Sequence, residues 1–107
     1  MVRIGRVAKI AAWLLLTSSL LSACAVAPTQ EMSDARQAIT AAREAGAETY
    51  AAAALHAAEA YLEQAQASLK QGDYEHSRDD AVRARNEAVK ARESSQVLMP
   101  QADADTQ

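Results

Sequence analysis

Few residues in this sequence are placed to do chemistry. The one cysteine, Cys24, follows Leu21-Ser22-Ala23. A single Cys excludes an internal disulfide framework. The two histidines, His56 and His76, fall on different helices by pattern. A zinc site needs three or four ligands, so both are read as surface residues, and neither a metal nor any other cofactor is expected. Glu59 and Glu63 lie one helical turn apart and imitate a catalytic carboxylate pair. Glycosidases place such a pair across a cleft, which a thin helical hairpin does not offer. No Ser or Lys has an activating partner, so the chain is read as not an enzyme. Arg78, Arg85 and Arg92 recur every seven residues and form one stripe on a helix. Such a stripe can act as a comb for anionic groups, lipid phosphates or cell-wall carboxylates. It can also fix how helices pair, as charges beside a helix seam usually do. The pairing role is preferred, with Glu59 brought near Arg85 or Arg92, and Asp80 and Glu87 on the opposite flank. Tyr50, Tyr61 and Tyr74 are read as gap fillers at hairpin ends and edges rather than as a carbohydrate platform.

The elements that carry these residues are helical. Phe is absent, Pro is rare, and no stretch reads as a strand. Ala dominates, and Ala is the best helix former. The expected fold is all-α: a short antiparallel three-helix unit dominated by a long helical hairpin with an Ala-rich seam. Met32, Ala35, Ile39 and Ala42 recur at threes and fours, one face of a helix over about residues 29–45, with Thr29 as its cap. A second stripe runs Leu55, Ala58, Leu62, Ala65, Leu69 over about 51–71. It is out of phase with the first, whose extension would reach Ala53 and His56. Gly46 therefore breaks the chain, with Thr49 a candidate for the next cap. Gly72 ends the second helix and Asp73 caps the third, over about 73–96. The third stripe, Ser77, Ala81, Ala84, Ala88, Ala91, Ser95, is almost pure alanine. Folding the last two helices together at Gly72 sets Leu69 against Ser77, Ala65 against Ala81, Leu62 against Ala84, Ala58 against Ala88 and Leu55 against Ala91. Large thus meets small, and the helices can approach closely. Residues 97–107, with Pro100 and a polar end, read as a disordered tail.

The N-terminal part reads as an address. Arg3, Arg6 and Lys9, with no acidic residue, precede an apolar run from Ile10 to Leu21. A basic start, a short apolar core and small residues before a cut site are the parts of a secretory signal. The run falls short of the roughly 20 residues that span a membrane. Leu21-Ser22-Ala23-Cys24 resembles a bacterial lipobox. That resemblance implies a signal peptide over residues 1–23, lipidation of Cys24, and a short tether over 24–28. In enterobacterial lipoproteins an Asp after the Cys favours inner-membrane retention. Ala25 in that position implies the outer membrane, with the protein facing the periplasm.

Three of the eleven basic residues lie in 1–23, which leaves 8 against 14 acidic residues in the remaining 84, a net charge of −6. An acidic unit of this size is one small domain at most. It lacks the basic face that nucleic-acid binding needs.

The order of lipobox, Ser33-Asp34-Ala35-Arg36-Gln37-Ala38-Ile39, Ala45-Gly46-Ala47, Tyr50, Leu55, Ala58-Glu59 and Gly72-Asp73-Tyr74 resembles the envelope family called domain of unknown function 4398. Its members are small Ala-rich helical lipoproteins or periplasmic segments. Some carry a peptidoglycan-binding domain of the outer-membrane-protein-A type after the helices; with Gln107 last, such a module is expected to be absent here. The family often has Pro where Ala52 stands. The resemblance implies a location and a fold, and no reaction. The expected role is a non-catalytic scaffold or interaction module, held to the membrane by its lipid, with an envelope protein or peptidoglycan as partner and oligomerisation left open. The alternative is a cell-wall or anionic-ligand binding module that uses Arg78, Arg85 and Arg92.

Overall fold

The computed structural model describes residues 26–105. The signal segment and Cys24 lie outside the described residues. Four helices follow in order: α1 (Thr29–Glu44), α2 (Ala47–Tyr50), α3 (Ala52–Lys70) and α4 (Tyr74–Asp105). Among the described residues there is no strand, and the fold is all-α.

The helix boundaries follow from local chemistry. Gly46 takes a left-handed conformation, φ 87°, and its N–H donates to the Arg43 carbonyl at 2.9 Å, ending α1. The chain re-enters a helix at once. The expected break thus contains the single turn α2, and Ala51, at φ −145°, separates it from α3. Gly72, φ 76°, closes α3 through two bonds: its N–H to the Leu69 carbonyl at 3.1 Å, and the Asp73 N–H to the Ser68 carbonyl at 2.9 Å. This pair satisfies carbonyls that the helix end would otherwise orphan. Asp73 then caps α4, its Oδ1 accepting the His76 N–H at 3.2 Å.

The two threonine caps expected from sequence are not formed. Pro28 holds the cap position of α1 and its carbonyl accepts the Met32 N–H at 3.0 Å, so Thr29 is already helical and exposed. Thr49 lies inside α2, and no side chain caps α3.

The long helices run up, down and up. Glu31 of α1 meets Arg78 of α4, while Ile39, Ala42 and Ala47 pack with Ala88 and Ala91. α1 is therefore parallel to α4. Arg43 of α1 meets Glu59 of α3, and Met32 lies near Ala65 and Leu69. α1 is therefore antiparallel to α3. α4 packs extensively on both neighbours, and they pack far less on each other. The stripe explains this: Ser77, Ala81, Ala84, Ala88, Ala91 and Ser95 are all fully buried. Small side chains on one face let two helices settle against it at close range.

The first stripe, Met32, Ala35, Ile39 and Ala42, is buried in full. Ala53 and His56, the positions its extension would reach, are exposed. Of the second stripe, Leu55, Ala58 and Ala65 are buried, whereas Leu62 and Leu69 are only half-buried. Ala65 clusters with Ala81, and Leu55 and Ala58 with Ala88 and Ala91. Leu62 packs against both clusters and keeps one side open to a groove between α1 and α3. The Ser77 hydroxyl donates to the Ala65 carbonyl at 2.8 Å, locking the hairpin register.

The end expected to be disordered is instead helical through Asp105, with Pro100 inside the helix. Proline removes one N–H and crowds the carbonyl four residues earlier. Here that carbonyl belongs to Gln96, on an exposed stretch where water can satisfy it. What stops at Ser95 is burial: Val97, Leu98 and Met99 are exposed. Loss of apolar periodicity marked the end of packing, and the helix outlasts it.

Candidate functional site

The three arginines do separate jobs. Arg78 Nε donates to Glu31 Oε1 at 3.1 Å, and another guanidinium N–H donates to the Val26 carbonyl at 3.2 Å. It ties the start of α4 to the start of α1 and to the segment before it. Pro28, in that segment, is fully buried. Because α1 and α4 are parallel, the Glu31–Arg78 pairing sets a constant offset of 47 residues. The same offset puts Arg85 level with Ala38 and Arg92 level with Ala45. Neither alanine can pair, and among the described residues Arg85 and Arg92 make no ion pair or hydrogen bond. The expectation that Glu59 would meet Arg85 or Arg92 is corrected. Glu59 pairs with Arg43, because α1 covers the flank that a two-helix hairpin would leave open. On the opposite flank Asp80 and Glu87 face Arg83 and Lys90 of their own helix, each at 3.8 Å.

The remaining candidates disperse. His56 lies 3.7 Å from Glu59, and His76 Nδ1 lies 2.6 Å from Asp73 Oδ2. The side-chain bond from Asp73 raises the His76 pKa above the usual imidazole value; the backbone N–H of His76, then its side chain, hold the Asp73 carboxyl below the usual carboxylate range. Among the described residues no group of three His, Cys, Asp or Glu side chains is arranged to hold a metal. The Tyr61 ring has the Arg83 guanidinium 6.0 Å from its centre. Tyr50 sits beside Gly46 and Tyr74 opens α4 at the other end, so the three rings form no common platform.

A groove that the sequence did not announce runs between α1 and α3, with a volume of about 460 Å³. Arg36 and Arg43 form its α1 wall, Glu59 and Glu63 its α3 wall, and Ile39 and Leu62 its floor. The signal was present in the seven-residue spacing of Arg36 and Arg43. It could not be read without knowing that α3 lies antiparallel to α1.

The fold and surface define a class: a three-helix bundle with an alanine seam, its charges set along open grooves. The chain belongs to the family described as Domain of unknown function (DUF4398), which matches residues 30–106. No curated protein and no solved structure matches it.

Proposed function

We propose that this protein is a non-catalytic, lipid-anchored interaction module of the cell envelope, fixed through Cys24 to the periplasmic face of the outer membrane. The observation that carries the reading is the fastening of the segment next to the lipobox. Val26, two residues after Cys24, is held by Arg78, and Pro28 is buried. Two residues span at most about 7 Å, so a lipid on Cys24 would hold the bundle against the membrane with no slack. No described helix is long and apolar enough to cross a membrane. The test is fractionation and mass measurement. The wild type should partition with membranes and carry acyl mass, and Cys24→Ser should accumulate as unprocessed or soluble precursor. Normal partitioning of Cys24→Ser, with no acyl mass on the wild type, would refute the proposal.

A second reading has its own support. Arg85 and Arg92 are exposed and have no acidic partner among the described residues, on a surface where an anionic polymer could lie. Salt-dependent binding to purified cell wall, lost in Arg85→Ala/Arg92→Ala, would favour this reading over a protein scaffold.

A further inference from the structure

We infer that the α1–α3 face binds a second copy of this chain, the two lying parallel about a twofold axis that runs along the bundle. This goes beyond the proposed role and does not depend on lipidation. It rests on the charge pattern and levels of the groove walls. The α1 wall presents Arg36 and Arg43, and the α3 wall presents Glu59 and Glu63. Arg43 and Glu59 are level, since they form an ion pair across the groove. Among the described residues Arg36 and Glu63 have no charged partner, although both are exposed.

Such a face has two twofold ways to meet its own copy. With the axis across the bundle, α1 faces α1 and α3 faces α3. Arginines then oppose arginines and glutamates oppose glutamates. With the axis along the bundle, α1 of each copy faces α3 of the other. Arg43 then meets Glu59 of the second copy at its own level, and Arg36 comes within a turn of Glu63. The face is self-complementary only in this second arrangement, which is what a twofold interface demands. Each α1 would also neighbour two α3 helices, both antiparallel to it, so the four helices form a bundle with α4 of each copy outside. The half-exposed Leu62 would lie at its centre, over Ile39, which each copy already buries. Both Val26 residues would come to one end of the dimer.

The 16 residues of α1 give a face about 24 Å long and, with two helices, about 20 Å wide. That is roughly 500 Å² in projection, below the roughly 800 Å² per partner of a standard interface. The dimer should therefore be reversible.

Charge exchange tests this in the full chain, purified in detergent with two distinguishable tags. Arg36→Glu/Arg43→Glu makes both walls acidic, and Glu59→Arg/Glu63→Arg makes both basic. Wild-type copies should co-purify and sediment as a concentration-dependent dimer. Each variant alone should associate more weakly by roughly tenfold or more, since like charges oppose across the interface. The two variants mixed should regain association, because every facing pair is then opposite in sign. Circular dichroism confirms that each variant keeps its helices, and a variant that loses them is replaced by Arg36→Glu or Glu63→Arg alone. A monomeric wild type overturns the inference, as does association that the substitutions leave unchanged. Variants that stay apart when mixed overturn it as well.

Discussion

Asp73 and His76 couple the α3–α4 turn to pH. The Asp73 carboxylate accepts both the backbone N–H and the side chain of His76, with Oδ2 2.6 Å from the ring nitrogen. The Asp73 pKa is lowered in the folded chain, so its contribution is present above the ordinary carboxylate pKa and is lost as pH falls through the lowered value. The His76 pKa is raised, so its contribution is full below the ordinary imidazole pKa and is lost as pH rises through the raised value. The cap is strongest between these limits. Both groups are exposed, so the effect is small. The thermal midpoint of the wild type should exceed that of His76→Gln in mildly acidic solution, and the gap should close in alkali. A gap that stays constant from about pH 5 to about pH 9 would show that the imidazole charge plays no part. Ser77, one residue on, is fully buried and donates to the Ala65 carbonyl. Ser77→Ala should lose about 1 kcal/mol in urea unfolding, the net contribution of one such bond.

At the scale of elements, the two positive-φ glycines separate backbone strain from crowding. A Cβ at Gly46 would lie 3.2 Å from the Tyr50 ring, whereas one at Gly72 would meet nothing within 4 Å. Left-handed backbone costs a residue with a Cβ about 1–2 kcal/mol. Gly72→Ala should lose about that much, and Gly46→Ala should lose more, unless Tyr50 swings clear. Equal losses would indicate that the ring moves freely.

The stripes that build α1, α3 and α4 were legible because Ala, Ser and Leu repeat at helical spacing where they are buried. Gly46 and Gly72 were legible because only glycine suits their conformation. The docking of α1 was not legible. The alanine seam of α4 looked complete with α3 alone, and a stripe of small residues does not declare how many helices share it. For the same reason Leu62 was expected only to face Ala84 in the seam, and the groove beside it went unseen. Being half-buried, Leu62→Ala should lose only about 1–2 kcal/mol, less than a core leucine. Ala84→Leu should lose about 1–3 kcal/mol by overpacking, since Ala84 is wholly buried in the seam. The double variant should be more stable than the summed losses predict. Plain additivity in a double-mutant cycle would mean that these residues are not neighbours. Of the candidate site, the spacing of Arg78, Arg85 and Arg92 was visible. Which of them had partners depended on Glu31, far away in sequence.

At the scale of the molecule, the end of α4 is the part of the described helices held least by its neighbours. Beyond Leu98, which borders Tyr50 and the start of α3, the helix runs on with Met99, Pro100, Gln101, Ala104 and Asp105 exposed. A truncation after Leu98 should leave the thermal midpoint nearly unchanged while lowering the helical signal. A marked drop in midpoint would mean that this end is covered in solution. The parallel placement of α1 and α4 also sets an order of assembly. The α3–α4 hairpin closes a turn of three residues, 71–73, while Glu31 must find Arg78 across 47. Loop-closure entropy grows with the logarithm of length, a difference of about 2 kcal/mol here. The hairpin can therefore form first, with its seam half-covered, and α1 closes over it last. On unfolding the sequence reverses: α1 lifts away while α3 and the packed part of α4 hold, and its backbone amides should exchange with solvent deuterium before those of α3 and of α4 up to Ser95.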